Sequence, residues 1–193
     1  RRPFLGGQLM SASKPPHKEG FLRWVEWAER QCRTLGVQIM TGAALTEQMI
    51  ADNKPDAVIL AAGALPIAPR IDGIDGTNVV DARDVLEGTA GVTGPAVILG
   101  AGYVGMETAD YCLARGIAVT LVDMAGFPPV NKFTAHGYWL HRRLKDGGGV
   151  LMLKSSITAI ENNAVVAMQE GRQVRIEPAA TVIRAFGPAP ERD

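Results

Sequence analysis

The sequence predicts an α/β fold, a doubly wound parallel sheet with a small antiparallel insert. Three observations lead there. Apolar runs at 57–62, 96–99 and 117–122 lack the regular polar alternation of a half-exposed strand, so they read as strands covered on both faces. Stretches with helical apolar spacing stand between these runs. Two apolar strands also end alike, in Ala61-Ala62-Gly63 and Ala185-Phe186-Gly187.

Composition sets the outer bounds. The 193 residues allow one to two domains, and 47% hydrophobic with 21% charged residues describes an ordinary globular chain rather than a disordered one. Twenty Lys plus Arg balance twenty Asp plus Glu, so no global field draws in nucleic acid or an anionic membrane. The longest apolar run, Ala57 to Ala62, is far short of the roughly 20 residues of a membrane span. Arg1-Arg2 has the look of a twin-arginine export signal, but Gly6, Gly7, Gln8, Ser11 and Lys14 interrupt the apolar stretch such a signal needs. The chain opens without Met and reads as a fragment that begins within a domain. Cys32 and Cys112 stand 80 positions apart without metal spacing and read as two buried, reduced thiols of a cytoplasmic protein.

In chain order, Phe21, Val25, Ala28, Cys32 and Leu35 form one apolar stripe on a helix, which Gly36 ends. Residues 37–40 read as a short strand, 46–50 as a short helix and 57–62 as a buried strand. Pro66, Pro69, Gly73 and Gly76 mark a turn-rich passage, and 89–95 a linker. This divides the chain into a first domain at 1–92 and a second at 93–193.

The second domain begins with a buried strand at 96–99, a helix at 103–115 and a buried strand at 117–122. A helix follows at 133–145, weakened by Gly137 and stopped by Gly147-Gly148-Gly149. Short strands at 150–154, 157–161, 164–168 and 174–177 read as a β-meander, with turns at Asn162-Asn163 and Gly171-Arg172. A last apolar strand at 181–187 completes the domain.

The chemistry sits in Gly100-Ala101-Gly102-Tyr103-Val104-Gly105. A lone G-x-G-x-x-G is a weak signal in a chain with 22 glycines. Here it follows a strand, opens a helix, and is trailed by Asp123 at the end of the next strand, 23 residues after Gly100. That is the full context of the Rossmann-like dinucleotide fingerprint. Gly100 makes the tight turn, Gly102 lets a pyrophosphate approach the backbone, and Gly105 lets helix and strand pack closely. The helix N-terminus offers its free N–H groups to the phosphates.

Asp123 chooses between cofactors. Its carboxylate suits the adenosine ribose hydroxyls, in bonds worth about 1.5–3 kcal/mol. Against a 2′-phosphate, a like-charge pair near 4 Å costs on the order of 4 kcal/mol at an effective dielectric of 20. No Arg or Lys stands between Asp123 and Lys132 to offset that. The expected cofactor is NAD(H), favoured over NADP(H).

The run from Gly100 to Ala109, with Ala118-Val-Thr-Leu-Val-Asp123, resembles the pyridine-nucleotide domain of flavoproteins with two dinucleotide-binding domains. Upstream, 1–9, the helix from His17, 56–63 and 69–75 are similar to the C-terminal region of the NADH:flavin oxidoreductase family, the group of 2,4-dienoyl-CoA reductase and trimethylamine dehydrogenase. The resemblance covers essentially the whole chain. It implies a missing N-terminal barrel domain with FMN and a [4Fe-4S] cluster, and a truncated FAD-type half (ADP in the amine dehydrogenases) at 1–92. It places Gly7 and Gln8 just after the acidic residue that holds the flavin's adenosine ribose, 43–45 near the adenine, and Ala62 and Gly63 near the flavin nucleotide. It also places Ala185, Phe186 and Gly187 beside the nicotinamide, with Glu107 close by. A helix-dipole role is the plainer reading of Glu107.

By that resemblance the chain is the NADH-binding electron-input module of a flavin- and iron–sulfur-dependent oxidoreductase, passing a hydride from NADH to FAD. The isolated fragment is expected to be inactive. The alternative is a non-catalytic ADP-binding scaffold of an amine dehydrogenase-like flavoprotein, and a methyltransferase is disfavoured by the second Ala-x-Gly strand and the meander. No catalytic acid, base or nucleophile stands out, because the chemistry belongs to the cofactors. His136 and His141, five apart, do not share a helix face and are not read as metal ligands. Trp24 and Trp27 read as packing, and Arg142, Arg143 and Lys145 as a solvated helix end. Lys14 to Lys18 reads as a loop rather than a nucleic-acid patch. A homo-oligomer is possible, with the exposed edge of the truncated half prone to strand pairing.

Overall fold

The computed structural model describes residues 3–67 and 69–190, so the Arg1-Arg2 pair lies outside the described residues. The N-terminal part begins with α1 (Leu9–Ala12), which the sequence reading had not separated out, followed by α2 (Gly20–Thr34). Gly36, at φ +75°, turns the chain after α2 as expected. The apolar stripe of α2, however, enters no core: no α2 residue is buried, and Trp24 and Trp27 are about half exposed. Cys32 is only partly covered, against the expectation of a buried thiol. The short helix α3 (Glu47–Asn53) forms where expected, with the Thr46 hydroxyl accepting the Met49 N–H at 3.2 Å.

The strands expected at 37–40 and 57–62 do not form. Both segments run irregularly and pair with no strand among the described residues, and Ile59 and Leu60 are 90% and 80% exposed. An apolar run becomes a strand only when a neighbour takes up its N–H and C=O groups. The composition of 57–62 suits a sheet interior, but no described strand pairs with it.

Strand β1 (Ala64–Pro66) is followed by β2 (Val79–Asp81) and helix α4 (Ala82–Glu87). The last two lie between the turn-rich passage and the linker, where no element was expected. The Asp81 carboxylate caps α4 by accepting the Arg83 N–H at 2.9 Å, and Gly88, at φ +77°, ends it. A three-residue strand and a six-residue helix are too short to show a period in sequence.

Next come β3 (Ala96–Leu99), α5 (Tyr103–Leu113), β4 (Val119–Val122), α6 (Ala135–Asp146) and β5 (Val150–Met152). The meander strands follow as β6 (Ser155–Glu161), β7 (Ala164–Gln169) and β8 (Arg172–Ile176), then β9 (Thr181–Arg184) and β10 (Pro188–Pro190). The central sheet is parallel, in the order β2-β9-β3-β4-β5. It takes β2 from the N-terminal side of residue 92. The segment at 150–152, expected as the first meander strand, instead pairs in parallel with β4. The meander is therefore three-stranded, β6-β7-β8, and its second turn sits at Glu170-Gly171, both with positive φ, one residue earlier than expected.

The two sheet faces bury different partners. Ala96 and Ile98 of β3, Leu121 of β4 and Ile183 of β9 pack with Met106 and Ala109 of α5 and Leu140 and Leu144 of α6. The alternate residues Val97, Leu99, Val122 and Val182 pack against Ile160, Val165 and Ala167 of the meander. All four β3 residues are buried, as an uninterrupted apolar run requires. The meander thus covers the face that a second set of helices covers in other doubly wound sheets. Antiparallel pairing of β1 with β10 ties the N-terminal part to the end of the chain.

Gly137 is required where the sequence suggested weakness. A Cβ there would stand 2.1 Å from the Asn131 carbonyl oxygen, so glycine lets the first turn of α6 close onto the preceding loop.

Candidate functional site

The glycine turn joins the C-terminal end of β3 to α5. Gly100 has φ +104°, and a Cβ there would come within 2.8 Å of the Ala185 carbonyl oxygen on β9's extension. A Cβ on Gly105 would stand 2.0 Å from the Gly100 carbonyl oxygen, so this glycine sets the close approach of α5 to the turn. Gly102 differs from both. Its φ of −68° suits any residue, and a Cβ there would meet nothing within 4 Å. The missing side chain leaves the start of α5 open from outside, and no side chain caps the helix. Backbone N–H groups at such an end suit an anion.

Asp123 ends the strand beside β3. Its Oδ2 accepts the Ala101 N–H at 2.7 Å and its Oδ1 accepts the Ala125 N–H at 2.8 Å. The carboxylate is partly exposed, and each oxygen keeps a further lone pair for a hydroxyl donor.

A cleft of about 670 Å³ opens over these residues, with Gly102, Tyr103, Asp123, Met124, Ala185 and Phe186 in its walls. It lies where β3's two neighbours, β4 and β9, lead away on opposite sides, the switch point at which parallel sheets place ligands. The residues fit a dinucleotide: a carboxylate with lone pairs to spare at one end, a bare helix start in the middle, and Ala185 to Gly187 at the other. Ser155, Ser156 and Ile157 of the meander and Ile71 add walls that the motif reading missed, because only the tertiary fold brings the meander over the cleft.

Glu107, one turn into α5, is 9% exposed and doubly paired. Its Oε1 receives Lys18 Nζ, and His136 Nε2 lies 2.9 Å from the same oxygen. The His136 ring stacks on Tyr103, with centroids 5.6 Å apart and planes within 7°. Sequence reasoning gave neither Lys18 nor His136 a partner at the site. They lie 89 and 29 positions from Glu107, and no spacing signals either contact.

The residues expected on the flavin side do come together. Gln8 Nε2 donates to the Ala64 carbonyl oxygen at 3.0 Å, and it would lie 3.6 Å from a Cβ on Gly63. Gly7 (φ +49°), Gln8, Ala62 and Gly63 are all exposed, as are 43–45. With 57–62 in no strand pairing among the described residues, these residues lie on an open surface.

Other polar groups are structural. Arg143, read as part of a solvated helix end, instead grips buried Asp110 with Nε 2.9 Å from both carboxylate oxygens, locking α6 to α5. Arg142 does stay at the surface, paired with Asp146. His141 Nε2 meets the Val130 carbonyl oxygen at 2.9 Å. Burial pushes the Cys112 thiol up to about 11, the state of an inert core thiol. Among the described residues no group of three His, Cys, Asp or Glu is placed to hold a metal, and no helix is long and apolar enough to cross a membrane.

Comparison with known proteins accords with this geometry. The chain is 32% identical over 195 residues to NADH oxidase of Thermoanaerobacter brockii, covering 98% of this chain and 30% of the relative. It is 32% identical over 186 residues to bilirubin reductase of Mediterraneibacter gnavus, covering 96% and 29%. The chain thus spans under a third of either relative's length. Among solved structures, a 2-naphthoyl-CoA reductase complex superposes over 97% of this chain and 28% of its own, with TM-score 0.88 at 24% identity, a likeness of fold. The family model described as pyridine nucleotide-disulphide oxidoreductase matches residues 31–193. With its glycine turn, cleft and parallel sheet, the chain belongs to the pyridine nucleotide-disulphide oxidoreductase family.

Proposed function

We propose that the chain is the NADH-binding, electron-input part of a larger flavin- and iron–sulfur-dependent oxidoreductase of the 2,4-dienoyl-CoA reductase and trimethylamine dehydrogenase type. The observation that carries this reading is the open start of α5 at Gly102, flanked by Asp123 just after β4 and by Ala185 to Gly187 beyond β9. In the parent protein NADH would supply a hydride to FAD, with electrons passing on through an iron–sulfur cluster to FMN in a preceding barrel domain.

The chain's own residues bind and orient. The N–H groups at Tyr103, Val104 and Gly105 face the diphosphate, and Asp123 takes the adenosine ribose hydroxyls while excluding a 2′-phosphate by like charge. Ala185, Phe186 and Gly187 shape the nicotinamide end. Gly7, Gln8, Ala62 and Gly63 form the near flank of a flavin site that other parts of the longer protein complete. On this reading 1–92 belongs mainly to the flavin half and 93–193 to the nicotinamide half, although β2 joins the latter's sheet and Ala82 and Val85 of α4 join its core.

A fluorescence titration with NADH, NADPH and ADP in parallel tests the reading. Saturable NADH binding with NADPH clearly weaker supports it. NADPH binding more tightly would remove the role given to Asp123 and leave the module's function standing. ADP binding without NADH would favour the scaffold reading instead.

A further inference from the structure

The sequence offers no basic side chain between Asp123 and Lys132 to receive a 2′-phosphate, but the fold brings one from elsewhere. Lys154 lies in the turn between β5 and β6, and its N–H donates to the Ala125 carbonyl oxygen at 2.9 Å. The next N–H, that of Ser155, donates to the Asp123 carbonyl oxygen at 2.9 Å. Backbone bonds thus hold Lys154 alongside residues 123–125, at the acidic end of the cleft, and Ser155 and Ser156 after it line that cleft.

Two features set Lys154 apart. Its backbone stands at φ +52°, a conformation that costs energy for a side chain and none for glycine. Its ammonium is also engaged: Nζ lies 2.9 Å from Glu170 Oε1, with the two side chains 58% and 67% exposed. Glu170 belongs to the turn after β7, and the pairing of Ser155 with Gln169 across β6 and β7 brings it beside Lys154. The Gln169 amide fastens the same corner by donating to the Leu153 carbonyl oxygen at 3.1 Å.

We propose that the Lys154–Glu170 pair is a second determinant of nucleotide choice, acting with Asp123. Glu170 draws the ammonium to the meander and offsets its charge, so the Asp123 carboxylate faces the adenosine ribose unopposed and the site prefers NADH. A lysine released from Glu170 has a flexible stem and a point charge with which to meet a 2′-phosphate beside Asp123. This inference rests on the NADH reading above.

The test titrates NADH and NADPH, at low and at high salt, into the unaltered protein, Glu170→Gln, Lys154→Gly and the double variant, with circular dichroism to establish folding. Glycine suits the positive φ at 154, so Lys154→Gly keeps the turn while removing the charge. Glu170→Gln should strengthen NADPH about fivefold at low salt, the scale of one exposed ion pair, and leave NADH within about twofold. The gain should shrink at high salt. It should vanish in the double variant, a result that a merely structural role of Glu170 does not produce. If Glu170→Gln fails to fold, Glu170→Gly, which suits the φ of +50° at that position, carries the comparison. An unchanged NADPH-to-NADH ratio in Glu170→Gln, or a gain that survives without Lys154, overturns the inference. Failure of the unaltered protein to bind either nucleotide overturns the functional reading and this inference together.

Discussion

The Asp123 carboxylate holds the glycine turn from the neighbouring strand: its Oδ2 accepts the Ala101 N–H at 2.7 Å, inside the G-x-G itself. Oδ1 accepts the Ala125 N–H, so the side chain ties the ends of β3 and β4 together before any ligand arrives. The residue expected to read the ribose therefore also orders the glycine turn.

That double role separates two variants. Asp123→Ala removes both backbone bonds and the ribose acceptor, and NADH affinity should fall about a hundredfold, from charged hydrogen bonds of about 1.5–3 kcal/mol each. Asp123→Asn keeps an acceptor for one backbone N–H and removes the negative charge. It should weaken NADH less and raise the affinity for NADPH relative to NADH. Titrations with both nucleotides check this, and unchanged NADPH-to-NADH selectivity in Asp123→Asn would remove charge as its cause.

The three glycines of the turn should fail in different ways. Gly105→Ala drives a methyl to 2.0 Å from the Gly100 carbonyl oxygen, so the helix must move, at a cost of several kcal/mol in urea denaturation. Gly102→Ala meets nothing within 4 Å and should leave the denaturation midpoint in place. It should instead weaken NADH and ADP-ribose together, because the methyl occupies the approach to the start of α5. Loss of stability in Gly102→Ala without loss of binding would contradict the assignment of that space to the diphosphate.

Adjacent arginines on α6 offer a stability contrast. Arg143→Ala strands the Asp110 side chain, 5% exposed, and should cost about 3–5 kcal/mol. Arg142→Ala removes an exposed pair one helical turn apart and should cost no more than about 0.5 kcal/mol. Urea denaturation of the two variants reads the difference directly.

The cysteines should differ in reactivity. Partly exposed Cys32 is expected to react with a thiol reagent in the folded protein, and buried Cys112 only after unfolding. Burial raises the Cys112 thiol from 9.0 to about 11, so the protonated form is the one the fold favours. Its contribution is complete below pH 9 and is lost as pH rises toward 11, because the unfolded thiol ionises first; the loss is at most about 3 kcal/mol. Cys112→Ala should flatten that alkaline slope in denaturation curves taken across this range.

The sequence by itself determined the strand-turn-helix at 96–113 and the acidic end of the next strand. The apolar run 96–99 reads as a strand because a glycine turn, a helix and a second apolar run follow it in order, and Gly100 and Gly105 stand where a side chain has no room, while Gly102 leaves the helix start open. That order is a local constraint, legible without knowing what packs above it. The last apolar strand was legible in the same way, although it ends at Arg184, and Ala185-Phe186-Gly187 was placed at the site by the family resemblance alone.

Only the tertiary structure decided the rest. Residues 57–62 carry the composition of a buried strand and stay exposed, because strand formation needs a neighbour that composition does not specify. Residues 150–152 join the parallel sheet rather than the meander, a choice made by the free edge of β4. The Lys18–Glu107–His136 cluster joins three segments far apart in sequence, and Arg143 leaves solvent because Asp110 on the next helix is buried opposite it. Contacts of this kind depend on which surfaces the sheet brings together, and no periodicity within one segment records that.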